Sequence, residues 1–233
     1  MSKIFDVGAP DVGQVYCELR ERVGEFCAAL STEDWERVTP HCPDWTVRQT
    51  LAHLAGVIDD GLNGNMEGVT TEAWTAVHIA KRADKSGPEI LEEWNTWAPF
   101  VEDRATSVGL GLSQLVFDAV THEHDLRFAL GIPGARDSDA LRLGLYFFQQ
   151  RLPANADKAG VPCPQIIVDG RPLFADPAPD ALVLTASLFD TVRTIGSRRT
   201  LDEIAALDWS ADPRAVMSLL LPFAPPTTAL GEW

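Results

Sequence analysis

The chain has 233 residues, 45% of them hydrophobic and 23% charged, and carries a formal net charge of -15. That length suits one large domain or two small ones, each able to bury an apolar core. The negative charge repels phosphate backbones and argues against nucleic-acid binding, and no apolar run approaches the ~18 residues of a membrane-spanning helix.

The opening Met1-Ser-Lys-Ile-Phe-Asp6 lacks a basic segment followed by an apolar run, so no signal peptide is expected. From there, Val12, Val15, Tyr16, Leu19, Val23, Phe26, Cys27 and Leu30 recur at steps of mostly three and four. This predicts an amphipathic helix over about 11–30. A loop with Pro40 and Pro43 follows. Thr46-Val-Arg-Gln49 then has the form of a capping box. It opens a second helix through Leu51, Leu54, Val57 and Ile58, which Gly61, Gly64 and Gly68 close. Helices are expected over about 72–84 and 88–107, broken at Ser86-Gly-Pro88. Trp94 and Trp97, three apart, read as core. A fourth core helix is expected over about 112–130, stopping at Gly131-Ile-Pro133, with another over about 139–152.

The character changes after Pro153. Gln165 to Phe174 reads as two short strands around an Asp169-Gly170 turn, and Leu182-Val-Leu-Thr185 as a third. Ser187 caps a helix ending near Gly196, Thr200-Leu-Asp-Glu203 forms another capping box, and Asp212-Pro213 opens a last short helix. The pattern is a helical part followed by a small α/β part.

Four cysteines, Cys17, Cys27, Cys42 and Cys163, show no CxxC spacing and read as reduced thiols of a cytoplasmic protein. No P-loop, dinucleotide fingerprint or G-x-S-x-G elbow is present. The chemistry concentrates in Asp118-Ala-Val-Thr-His122-Glu-His124-Asp125. On a helix, Asp118 and His122 leave one face a turn apart. With His53 from another helix they form a candidate set of two imidazoles and one carboxylate for a divalent cation. Asp125, three residues beyond His122, is placed to orient an imidazole. His124 lies ~200° around the helix from His122 and reads as a partly exposed residue. His41-Cys42 and His78 read as structural or surface residues. From spacing alone the alternatives stay open: His53 as a core histidine, and Asp118 with His122 as a helix ion pair.

At these residues the chain resembles a known family. Cys42-Pro-Asp-Trp45-Thr-Val-Arg-Gln-Thr-Leu-Ala-His53-Leu, Asp118-x3-His122-x2-Asp125-Leu, Gly196-Ser-Arg198-Arg199 and Leu207-Asp-Trp209 are similar to motifs of the mycothiol-dependent maleylpyruvate isomerases of actinobacteria. Those proteins belong to the DinB/YfiT-like metal-binding four-helix bundles. The resemblance implies an α+β chain: a DinB-like up-down four-helix bundle over 1–155 and a small C-terminal α/β domain over 156–233. It places metal ligands at His53, Asp118 and His122, where the isomerase itself uses glutamate at the position of Asp118. It also implies zinc, and mycothiol as a small-thiol cofactor; a set of two histidines and one carboxylate suits nickel, manganese or iron as well. Arg198 and Arg199 read either as holding a carboxylate of thiol or substrate or as a solvated pair at a helix C-terminus favoured by the dipole.

The implied reaction is addition of a thiol to a small electrophilic substrate, as an isomerase or thiol transferase, in a cytoplasmic monomer or homodimer. Metal-dependent hydrolysis, such as amidase action, and a non-catalytic metal- or ligand-binding module are the competing expectations.

Overall fold

The computed structural model describes residues 8–232, so the stretch Met1–Asp6 discussed above lies outside the described residues. The architecture is α+β, rich in helix, with two small sheets. In chain order the first elements are α1 (Val12–Cys27), α2 (Thr32–Trp35), β1 (Val38–Thr39), β2 (Cys42–Thr46), α3 (Val47–Asn63), α4 (Glu72–Ala80), α5 (Gly87–Val108) and α6 (Ser113–Leu130). They are followed by α7 (Asp139–Gln149), α8 (Leu152–Ala159), β3 (Gln165–Val168), β4 (Arg171–Pro172), β5 (Val183–Ala186), α9 (Leu188–Ile195), α10 (Leu201–Ala205) and β6 (Asp208–Trp209). Among the described residues no helix is long and apolar enough to cross a membrane.

Two compact units emerge. One comprises Asp11–Leu112 with His122–Gly134; the other comprises Ser113–Thr121 with the chain from Ala135 onward. The single helix α6 runs through both.

In the first unit α5 packs on α1 and α3, and α4 packs on α3. The caps explain the boundaries. Ser86 and Glu89 close a reciprocal box at the start of α5, and Gly64 ends α3 in the left-handed conformation that glycine adopts at little cost. Across α1 and α5, Trp94 Nε1 donates to the Tyr16 hydroxyl at 3.1 Å, and Arg20 Nε donates to Glu102 Oε1 at 2.7 Å. Trp94 is core, as its spacing predicts, but Trp97 is 48% exposed: a three-residue step swings it past the edge of the buried stripe. The stretch expected as a loop around Pro43 is instead β2, paired antiparallel with β1 and running directly into α3.

In the second unit the sheet order is β4-β3-β5-β6, with β3 and β5 parallel and both edge pairs antiparallel. Ile166 and Leu184, opposite one another in the parallel pair, are fully buried. Asp169 and Gly170 both take positive φ, the requirement of a type I′ hairpin turn. α7 packs on α9. Helix α8 carries Pro153 in its first turn, where the fixed φ of proline suits the helix. The last helix is a 3-10 turn at Met217–Leu220, later than Asp212-Pro213, because the Asp212 carboxylate accepts from the Arg214 backbone N–H and makes a local turn instead.

Candidate metal centre

The capping box places His53. Thr46 Oγ1 accepts from the Gln49 N–H, and Gln49 Oε1 accepts from the Thr46 N–H, so α3 starts at Val47 and turns His53 into the interior, 2% exposed. His122 comes from α6 and is also buried, and Asp118 stands one turn before it on the same helix. The structure brings these three together: one ligand atom each from His53, Asp118 and His122 lie within 4.8 Å of one another.

The imidazoles are held from behind. His78 Nε2 lies 2.8 Å from Asp60 Oδ2, and its Nδ1 lies 3.1 Å from His53 Nδ1. The Asp60 carboxylate can only accept, so a neutral His78 carries its proton on Nε2. Burial, the largest influence, pushes His78 below the ordinary histidine range; the Asp60 hydrogen bond opposes this, and nearby His53 adds to it. The bare Nδ1 of His78 then accepts from His53 Nδ1–H. The nitrogen of His53 that a cation would take is Nε2. His122 Nδ1 lies 3.1 Å from Asp125 Oδ2, a close approach of ring and carboxylate without hydrogen-bond geometry. The Trp45 ring, delivered by β2, lies 5.2 Å from that of His53 and 5.7 Å from that of His122, and Trp74 packs edge-on to His53 and His78. Two indoles thus shield the imidazoles from water. The donor set fits a divalent cation: two buried imidazoles and one carboxylate.

His78 and Asp60 were not expected here. His78 reads as structural or surface in the sequence, yet it is fully buried against His53. The usable signal was Asp60, seven residues after His53 and therefore on the same face of α3. Gly56 makes the arrangement possible, because a Cβ built there would overlap the His78 ring. Gly56→Ala is expected to destabilise the protein by about 1–3 kcal/mol through overpacking. Urea denaturation checks this; an unchanged midpoint would show that the His78 ring is not fixed.

His124 is 3% exposed, not partly exposed, because α6 is enclosed on every side from Thr121 to Leu126. Spacing located its face but not the neighbours that cover that face. Its neighbour Glu123 is fully buried and accepts from Arg22 and Arg127. Asp125 takes the orienting place beside His122. Arg199 is buried and its guanidinium meets Glu232 at 2.6 Å and Asp190 at 3.3 Å. Arg198 is half-buried and donates to the Gly196 carbonyl at 2.8 Å.

Residues 17–128, which carry the cap, the α3 histidine and the α6 pair, match the family described as Mycothiol maleylpyruvate isomerase N-terminal domain. Over that span, just under half of the chain, the sequence is similar to this family. No curated protein and no solved structure matches the chain. The mycothiol maleylpyruvate isomerase domain includes β1, β2 and α3 to α5 entirely, and nearly all of α6.

Proposed function

We propose that the protein is a metalloenzyme in which His53, Asp118 and His122 hold one divalent cation. Acting with mycothiol or a like small thiol, it would serve as an isomerase or thiol transferase on a small electrophilic substrate. The observation that carries the reading is the convergence of these three donors on elements that match the family, with His53 hydrogen-bonded through Nδ1 to His78 and the Asp125 carboxylate beside His122. Helices α1, α3, α5 and α6 are read as the four of a DinB-like bundle.

A bound cation would supply positive charge that lowers the pKa of a thiol brought against it. The protein's own groups do the rest. Asp60, through His78, holds the proton of His53 on Nδ1, so that ring keeps one tautomer and one orientation, and Asp125 sets a carboxylate beside Nδ1 of His122. Trp45 and Trp74 exclude water, which strengthens electrostatic interactions in the site. Asp118, one methylene shorter than glutamate, would supply the carboxylate that holds the cation, directly or through water. Of the two arginines proposed to meet a substrate or thiol carboxylate, Arg199 is engaged by Glu232 and Asp190, and Arg198 donates to the Gly196 carbonyl.

The test is elemental analysis of freshly purified, untagged protein, followed by turnover assays of electrophilic substrates with and without added thiol. The reading expects close to one equivalent of zinc, nickel, manganese or iron and turnover only with thiol. Absence of metal after reconstitution overturns it, and turnover without thiol transfers it to hydrolysis.

A further inference from the structure

A second cluster of donors adjoins the first. Cys42 on β2, with His122 and Asp125 on α6, also present ligand atoms within 4.8 Å of one another. His122 Nδ1 lies 3.1 Å from Asp125 Oδ2, and Cys42 Sγ lies 3.6 Å from the same oxygen. In a tetrahedral site with ordinary metal–nitrogen, metal–oxygen and metal–sulfur bonds, neighbouring donors stand roughly 3.3–3.6 Å apart. Two of the three separations are therefore close to those of an assembled site, and the third is within 4.8 Å. Asp125 is fully buried and His122 nearly so. Cys42 is half-exposed and, with Trp45, Gln49 and Glu72, lines an open hollow of about 510 Å³, which offers a way in from solvent.

We propose that Cys42, His122 and Asp125 form a second cation position, selective for thiophilic ions such as cadmium or zinc, that competes with the first for the ring of His122. The selectivity follows from the thiolate, which favours soft cations over manganese. The competition follows from the ring. A neutral imidazole has one bare nitrogen. A cation held with His53 and Asp118 uses Nε2 and leaves the proton on Nδ1, toward Asp125. A cation held with Cys42 and Asp125 uses Nδ1, so the ring proton moves to Nε2 and the thiol proton leaves to solvent. The tautomer of His122 thus decides which position is filled. The inference rests on the proposed function only for the competition, not for the second position itself.

The test titrates cadmium alone into metal-free full-length protein and reads the ultraviolet thiolate-to-cadmium charge-transfer band, then repeats the titration with manganese read by the loss of its free-ion resonance signal. Wild type is expected to give the band at one equivalent, and cadmium is expected to displace bound manganese. Cys42→Ser is expected to abolish the band while leaving manganese binding intact; His53→Ala is expected to keep the band while losing manganese. A band that survives Cys42→Ser, or that disappears in His53→Ala, overturns the proposal. Manganese bound through His53 with no cadmium band sinks the second position and leaves the first standing. A Cys42-dependent band without manganese binding does the reverse.

Discussion

Replacing His53 with alanine is expected to weaken manganese binding by more than about 100-fold, beyond the 10–100-fold typical of losing an outer partner of a metal ligand. The ion is chosen because it prefers nitrogen and oxygen donors, so its loss reports on His53, Asp118 and His122 rather than on Cys42. His53 is 2% exposed and bonded to His78, so the substitution also opens a small space behind Trp45. Asp118→Ala guards against a folding artefact, because Asp118 is only half-buried and its removal leaves the core intact. Both variants should keep the far-ultraviolet helix signal of wild type. His78→Gln, which disturbs the orientation of His53 without removing a ligand, should fall between, at about 10–100-fold. Unchanged manganese affinity in both His53→Ala and Asp118→Ala would remove the metal centre and the enzymatic reading with it.

The second large effect is one of stability. Glu123 has no exposed side-chain surface, and its carboxylate accepts from Arg22 Nε at 3.1 Å, Arg22 Nη2 at 2.9 Å and Arg127 Nε at 3.0 Å. Both arginines reach solvent, with side chains 28% and 13% exposed. Removing the two together leaves an uncompensated charge in the interior, whereas removing the glutamate leaves two cations that can turn toward water. The double variant Arg22→Met with Arg127→Met is therefore expected to cost about 3–5 kcal/mol. In a chain of this size that lowers Tm by on the order of 10 °C. Adding Glu123→Met to the pair should recover most of the loss, since an apolar trio carries no desolvation penalty. Calorimetry of the three proteins decides it. A Tm within about 2 °C of wild type for the double variant would show that water reaches Glu123.

Local rules account for much of the site. The Thr46–Gln49 box can be read from four residues because a cap satisfies orphan N–H groups within its own turn. The pairing of Asp118 with His122 is equally local, since helical geometry places residues four apart on one face. Asp125 three residues beyond follows from the same geometry, as does the hairpin at Asp169-Gly170, whose positive φ values suit that dipeptide. The family motifs added His53 as the partner of the pair.

Other features needed the assembled chain. Periodicity assigns a residue to a face but does not say what covers that face. His124 is enclosed for that reason, and Glu123 reaches Arg22 on a helix far away in the sequence. His78 carries no spacing relation to His53; it arrives because α4 folds onto α3 at Gly56, where the absence of a Cβ admits the ring. Cys42 meets Asp125 because β2 leads into α3 without a loop. Arg199 looked like a carboxylate binder and became the partner of Glu232, since a guanidinium inside a protein is stable only when a carboxylate or carbonyl answers it. The sequence by itself determined where the capped core helices start and which donors share a face, because those are short-range hydrogen-bonding and steric effects. Only the tertiary structure decided which faces meet, because that depends on long-range packing of side chains too distant in the chain to be related by any local period.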